Sequence, residues 1–187
     1  MEITLIAGVV TAQYTDNMRA LSWKQPYGSL MLYGKIETRK WKTDIRGPVL
    51  ICCSQKPYSL YTIEKISGDY QFHRIVDTLG AKDPSDWEDV CGKAIAIGNL
   101  VDCRPMTPED EDACFVKYQP GLWCHIYKDI KPIKPFPFKG KQGWSTVGDG
   151  ILGKLGYKVT YTITELSMED IARKVLNQYT KQWQQLN

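Results

Sequence analysis

The stretch IETRKWKTDIRGPVLICCSQK, residues 36–56, decides the reading of the fold. Its first part is basic and aromatic, with Arg39, Lys40, Trp41, Lys42 and Arg46. Its second part, Val49 to Cys53, is an unbroken apolar run that fits a short buried strand. Residues 36–41 alternate Ile36, Thr38 and Lys40 against Glu37, Arg39 and Trp41, the period-two pattern of a half-exposed strand. Arg46-Gly47-Pro48 turns the chain between the two. Cations and an indole placed just before a core strand have two accounts. One is an ordinary surface hairpin. The other is a cationic, aromatic platform that the core strand holds in place for a ligand.

Outward from this stretch the pattern alternates strands with long connections. Residues 20–23 (ALSW) read as a short strand, and Pro26 to Tyr33 as a short helix closed by Gly34. Pro57 opens a helical region to about Leu79, broken near Ser67-Gly68. An acidic loop, AKDPSDWEDVCG, precedes the apolar strand KAIAIGNLVDC. TPEDEDACF suits a short helix, with Thr107 as cap and acids in the first turn. LWCHIYKDIKPI is a strand, and FPFKGKQGWSTVGDGILGKLG reads as loop. KVTYTIT is a further strand, followed by a helix from Ser167. Five or six strands with helices between them predict an α+β protein built on a small mixed barrel, as a single domain over residues 1–187.

Composition bounds the function. At 187 residues, 43% apolar and 24% charged, the chain is an ordinary globular one. No apolar run approaches a membrane span. Glu2, with no Lys or Arg, precedes the N-terminal apolar patch, so the chain reads as cytoplasmic. The six cysteines form no CxxC, and most sit in apolar strands, so buried free thiols are expected. His73 and His125 lie far apart, and no metal or cofactor is called for. The net charge is only +3, but it is segregated. Residues 35–56 carry six Lys/Arg against two Asp/Glu, residues 128–141 five Lys against one Asp, and residues 83–112 nine acids against Lys93 and Arg104. Such segregation either steers a polyanion to one face or merely solvates loops.

Five segments in order resemble the ASCH domain, a branch of the PUA-like β-barrels. They are ALSWKQPYGSLMLYG, IETRKWKTDIRGPVLICCSQK, GKAIAIGNLVDC, LWCHIYKDIKPI and FPFKGKQGWSTV, together spanning about residues 19–147. The likeness is to the ASCH domain of activating signal cointegrator proteins and their bacterial and phage relatives. The resemblance implies a barrel of five to six strands with a cleft beside the first helix, and RNA or another single-stranded nucleic acid as the ligand. Position by position it brings Gln25, Pro26, Tyr27, Glu37, Arg39, Trp41, Lys139, Gly140 and Lys141 to that cleft. Some small ASCH proteins remove the acetyl group from N4-acetylcytidine, using a lysine and a threonine of this motif and a more distant glutamate; others have been assigned ribonuclease activity. Here YGKIETR places Lys35 only two residues before Glu37, closer than the family's spacing, and Glu37 stands where the threonine would.

The side chains allow matching roles. Glu37, Arg39 and Trp41 project from one face of a strand. Glu37 can fix the Arg39 guanidinium toward phosphate while Trp41 stacks a base; the structural alternative is a salt bridge under a core tryptophan. Gln25-Pro26-Tyr27 opens a helix whose free N–H groups favour an anion. Lys139 and Lys141 offer mobile cations on a glycine-rich loop, or simply a solvated tip. Lys35, beside a turn, is expected to be solvated; the alternative is a catalytic amine acting with Glu37. His125 is expected to be a satisfied core histidine, and His73 a helix-surface residue.

Overall fold

Short apolar runs bounded by turns build the sheet of this chain. A computed structural model describes residues 18–80 and 84–157. The expected strand at 158–164, the helix from Ser167 and the N-terminal extension before residue 18 lie outside the described residues. The body of the fold runs from Asp16 to Gly148, close to the span over which the motifs fall. Residues 149–157, with helix α4 (Asp149–Lys154), fall to a second unit.

Strands β1 (Arg19–Trp23), β2 (Glu37–Arg39), β3 (Gly47–Cys53), β4 (Lys93–Pro105), β5 (Trp123–Pro137) and β6 (Ser145–Thr146) form one sheet, in the order β2-β5-β4-β3-β1-β6. β1 and β3 are parallel, and the other neighbours are antiparallel. The sheet curls into a half-barrel, and helices flank it, so the fold is α+β. The β4–β5 ladder shifts register at three places, and such irregularities bend a sheet and increase its twist.

The apolar run of β3 is the centre of the core. Val49, Leu50, Ile51 and Cys52 are fully buried. Each aliphatic side chain there contributes about 1.5–3 kcal/mol by leaving water. Val49, Ile51 and Cys53 pack with Leu21, Trp23, Met31 and Leu100 in one cluster. A second cluster gathers Ile63 and Ile75 of helix α2 (Leu60–Leu79), Tyr27 and Leu30 of helix α1 (Tyr27–Leu30), and Cys114 and Cys124.

Local signals set the helix ends. α1 passes into a 3-10 turn, Met31–Tyr33, and stops at Gly34 with a left-handed φ of 82°. α2 is capped by Ser59, which accepts from the Thr62 N–H, and breaks at Gly68. Helix α3 (Glu111–Cys114) follows a 3-10 turn, Pro108–Asp110, where the Asp110 carboxylate accepts from the N–H and hydroxyl of Thr107. Three expectations need correction. The strand expected over residues 36–41 is only Glu37–Arg39, so Trp41 lies beyond its end. The acidic segment is a 3-10 helix, Pro84–Val90, where a loop was expected. The expected glycine-rich loop begins in the end of β5 and contains helix α4 and β6, a strand too short to carry a pattern of its own and formed by pairing with β1.

β5 explains half of the charge segregation. β2 covers it only at residues 123–125. Beyond them, its outer half carries exposed Lys128, Lys131, Lys134, Pro132, Pro135 and Pro137. Lysine and proline on an uncovered strand edge prevent pairing with another chain.

All six cysteines are free thiols, and five of them are buried. Among the described residues no helix is long and apolar enough to cross a membrane.

Candidate functional site

The end of β1, the start of α1 and the whole of β2 enclose a cleft of about 640 Å³. β1 supplies Trp23 with Lys24 just after it, and α1 supplies Tyr27. The turn into β2 and the segment after it supply Lys35, Glu37, Thr38, Arg39, Lys40 and Trp41. Tyr58 and Ile66 close one side, and Val116, Gln119 and Leu122, in the loop between α3 and β5, form the far wall. Gln142 reaches in from the glycine-rich loop.

A buried charge cluster lies in the wall of this cleft. Lys35 Nζ donates to Glu37 Oε2 at 2.9 Å and to the Ile36 carbonyl at 2.8 Å. Arg39 Nε lies 2.9 Å from Glu37 Oε1, and Arg39 Nη2 donates to the Ser22 carbonyl at 3.0 Å. Burial pushes the Glu37 carboxyl up, but the charges of Lys35 and then Arg39 outweigh it and hold it below the ordinary range. The Trp23 indole N–H adds to this lowering without making an aligned hydrogen bond. Glu37 is therefore a carboxylate at neutral pH, saturated by two cations.

Aromatic rings carry the cations. Lys24 lies 4.8 Å from the Tyr58 ring centroid, Lys35 5.5 Å from that of Tyr27, and the Arg39 guanidinium 5.4 Å from that of Trp23. Four cationic side chains line the cleft against one carboxylate. Trp41 is half-buried, packing edge-to-face on His125 at 4.7 Å and on Trp144 at 5.8 Å. The Tyr27 hydroxyl pairs with Ser67 Oγ at 2.7 Å, and burial raises its pKa to about 12.

No protein-family model matches this chain, and no curated protein matches it.

The structure brings Tyr27, Lys35, Glu37, Arg39 and Trp41 into one cleft and leaves five sequence candidates, Gln25, Pro26, Lys139, Gly140 and Lys141, outside its lining. Gln25 is fully buried, and its amide serves the helix start: Oε1 accepts the Ser29 N–H at 2.9 Å, and Nε2 donates to Ser29 Oγ at 2.7 Å. An anion at that helix start would have to compete with this side chain. Lys139 and Lys141 are exposed on the loop that carries Gln142. That loop passes close to β1, because a Cβ on Gly140 would stand 2.7 Å from Ser22 Oγ.

Lys35 also corrects an expectation. It is 2% exposed rather than solvated, because Glu37 and the Ile36 carbonyl replace its water. His125 is buried as expected, but only half satisfied. Its Nε2 meets the Trp41 carbonyl at 3.0 Å, and its Nδ1 finds no partner among the described residues. His73 lies exposed on α2. Trp23, Lys24, Tyr58 and Gln142 line the cleft as well, where no ligand role was expected of them. Trp23 and Lys24 sit directly before Gln25-Pro26, where the alternation of β1 already points the indole inward. For Val116, Gln119 and Leu122 no local signal exists.

Proposed function

We propose that this chain is an ASCH-type, PUA-like protein that binds RNA or another single-stranded nucleic acid in the cleft beside α1. One observation carries the reading. A single cleft combines four cations, three of them held over aromatic rings, with one carboxylate that is already neutralised. Such a lining offers net positive charge to phosphate, and the half-buried Trp41 and Tyr58 rings offer faces to a base. Its volume lies within the about 300–1,000 Å³ of small-ligand sites, which suits a single nucleotide unit of an unpaired strand. Phosphate binding releases counterions, so affinity falls steeply with salt. The test is titration of labelled single-stranded RNA and DNA oligonucleotides at two salt concentrations. Binding at low salt that weakens at high salt supports the reading, and no binding of either at low salt removes it.

A second reading, hydrolysis of an acylated cytidine nucleoside or of RNA, is favoured by the buried contact between Lys35 and Glu37 on the cleft wall. Lys35 would polarise the acyl oxygen and Glu37 would take a proton. It ranks second, because a carboxylate held below its ordinary range by two cations is a weak base. Turnover of N4-acetylcytidine, or of unlabelled RNA, that both Lys35→Ala and Glu37→Gln abolish in folded protein would reverse the ranking.

A further inference from the structure

Cys114 and Cys124 face each other beneath the cleft with their sulfurs 3.8 Å apart. We infer that they are a peroxide-sensitive dithiol whose oxidation to a disulfide changes the cleft. Cys124 is fixed in β5, between Thr38 of β2 and Arg104 of β4. Cys114 ends the four-residue helix α3 and is followed by Phe115 at a left-handed φ of 57°. A disulfide is about 2.0 Å long, so the sulfurs must close by about 1.8 Å. The short helix moves more readily than a strand hydrogen-bonded on both sides.

That motion reaches the cleft by two routes. The Ala113 carbonyl accepts the Ile36 N–H at 2.9 Å, and Ile36 separates Lys35 from Glu37. The segment between the two cysteines carries Val116, Gln119 and Leu122, the far wall, and a disulfide would close it into a ring.

The chemistry is set by the pair. The two sulfurs are in contact, and Cys124 Sγ also lies 3.8 Å from the Asp110 carboxylate, which can accept its thiol proton. Both are buried, which excludes bulky disulfide oxidants and selects a small peroxide. One sulfur of the pair attacks a peroxide oxygen and the O–O bond breaks, leaving a sulfenic acid and a hydroxide that takes the thiol proton as water. The other sulfur then displaces the sulfenic oxygen. The S–S bond forms, the S–O bond breaks, and the oxygen leaves as a second water with the second thiol's proton. Two thiols are oxidised, and one peroxide is reduced to two waters.

The experiment uses the full chain carrying Cys91→Ser, which removes the half-buried thiol. The protein is treated with hydrogen peroxide, blocked with a maleimide and digested with trypsin without reduction. Trypsin cuts at Lys117, between the two cysteines, so a disulfide joins two peptides. The expected results are that joined pair, altered amide exchange at Ile36, and a several-fold loss of affinity for a single-stranded RNA oligonucleotide, reversed by dithiothreitol. Adding Cys114→Ser should abolish all three effects. Unlinked peptides in the Cys91→Ser protein, Cys124 joined to another cysteine, or linkage without change at Ile36 would each overturn the inference. Only the affinity readout rests on the nucleic-acid reading. If neither form binds RNA, that reading fails, while linkage and exchange still decide the dithiol.

Discussion

Lys35 Nζ donates to Glu37 Oε2 at 2.9 Å, with 1% of the lysine side chain and 8% of the glutamate side chain exposed. Both ions have left water, so each depends on the other. Glu37 has Arg39 as a second cation, whereas Lys35 has no second carboxylate within ion-pair distance among the described residues. Removing the carboxylate therefore strands a buried ammonium, which costs about 3–5 kcal/mol. Glu37→Gln should destabilise the protein by roughly that much, and Lys35→Met by clearly less, because Glu37 keeps Arg39. Urea unfolding of the two variants checks the order. A larger loss for Lys35→Met would show that the lysine, not the glutamate, is the member that the other depends on.

Binding should separate into stacking and charge. Trp41→Ala is expected to weaken single-stranded RNA binding by about 1–3 kcal/mol with the salt slope unchanged. Lys24→Ala and Lys40→Ala should each lower the slope by about one unit, as phosphate contacts do. Lys139→Ala and Lys141→Ala, outside the cleft lining, should lower it by less. Affinities at several salt concentrations test all five. Equal slopes for wild type, Lys24→Ala and Lys40→Ala would remove these two lysines from the phosphate path.

His125 gives the fold a pH dependence. Burial holds its pKa down, opposed by the hydrogen bond to the Trp41 carbonyl, and the net is lower than ordinary. The unfolded chain takes up this proton near pH of about 6.5, the folded chain only at lower pH. Between the two values the unfolded state binds more protons, so stability falls as pH drops. The loss begins as pH falls below about 6.5 and ends below the folded pKa. His125→Gln should flatten stability across that window. A stability curve with the same slope in both proteins would assign it to other groups.

How much of this was legible follows from the range of each interaction. β3 was readable because Val49 to Cys53 has no polar interruption and a glycine-proline turn precedes it. The stop of α1 at Gly34 and the break of α2 at Gly68 were readable because each needs a backbone that other residues rarely adopt. The common face of Glu37 and Arg39 followed from strand period. The burial of Lys35 did not, because it depends on the turn folding back on Glu37 and on the Ile36 carbonyl. Gln25 looked like a ligand group, but its amide is consumed four residues on by Ser29. The far wall of the cleft and the Cys114–Cys124 contact depend on where α3 docks, and nothing local encodes that.

The break in α2 links this docking to the cleft. Gly68 sits at φ 74° and ψ 167°, a conformation essentially confined to glycine. The kink frees the Ile66 carbonyl, which accepts the Lys117 N–H at 3.2 Å. It also aims Ser67 Oγ at the Phe115 carbonyl, 2.9 Å away, while the same oxygen pairs with Tyr27. Three bonds at one kink thus join α2, the loop after α3 and the cleft. In Gly68→Ala the new Cβ meets both the forbidden backbone angles and the Lys117 side chain. The expected loss is about 1–3 kcal/mol of stability. Because Ile66 and Val116 line the cleft, nucleic-acid affinity should fall as well. Gly68→Ala with Lys117→Ala relieves the contact but not the backbone, so it should recover only part of the stability. Thermal unfolding separates the two terms. Full recovery in the double variant would mean that the side-chain clash, and not the glycine conformation, sets the cost.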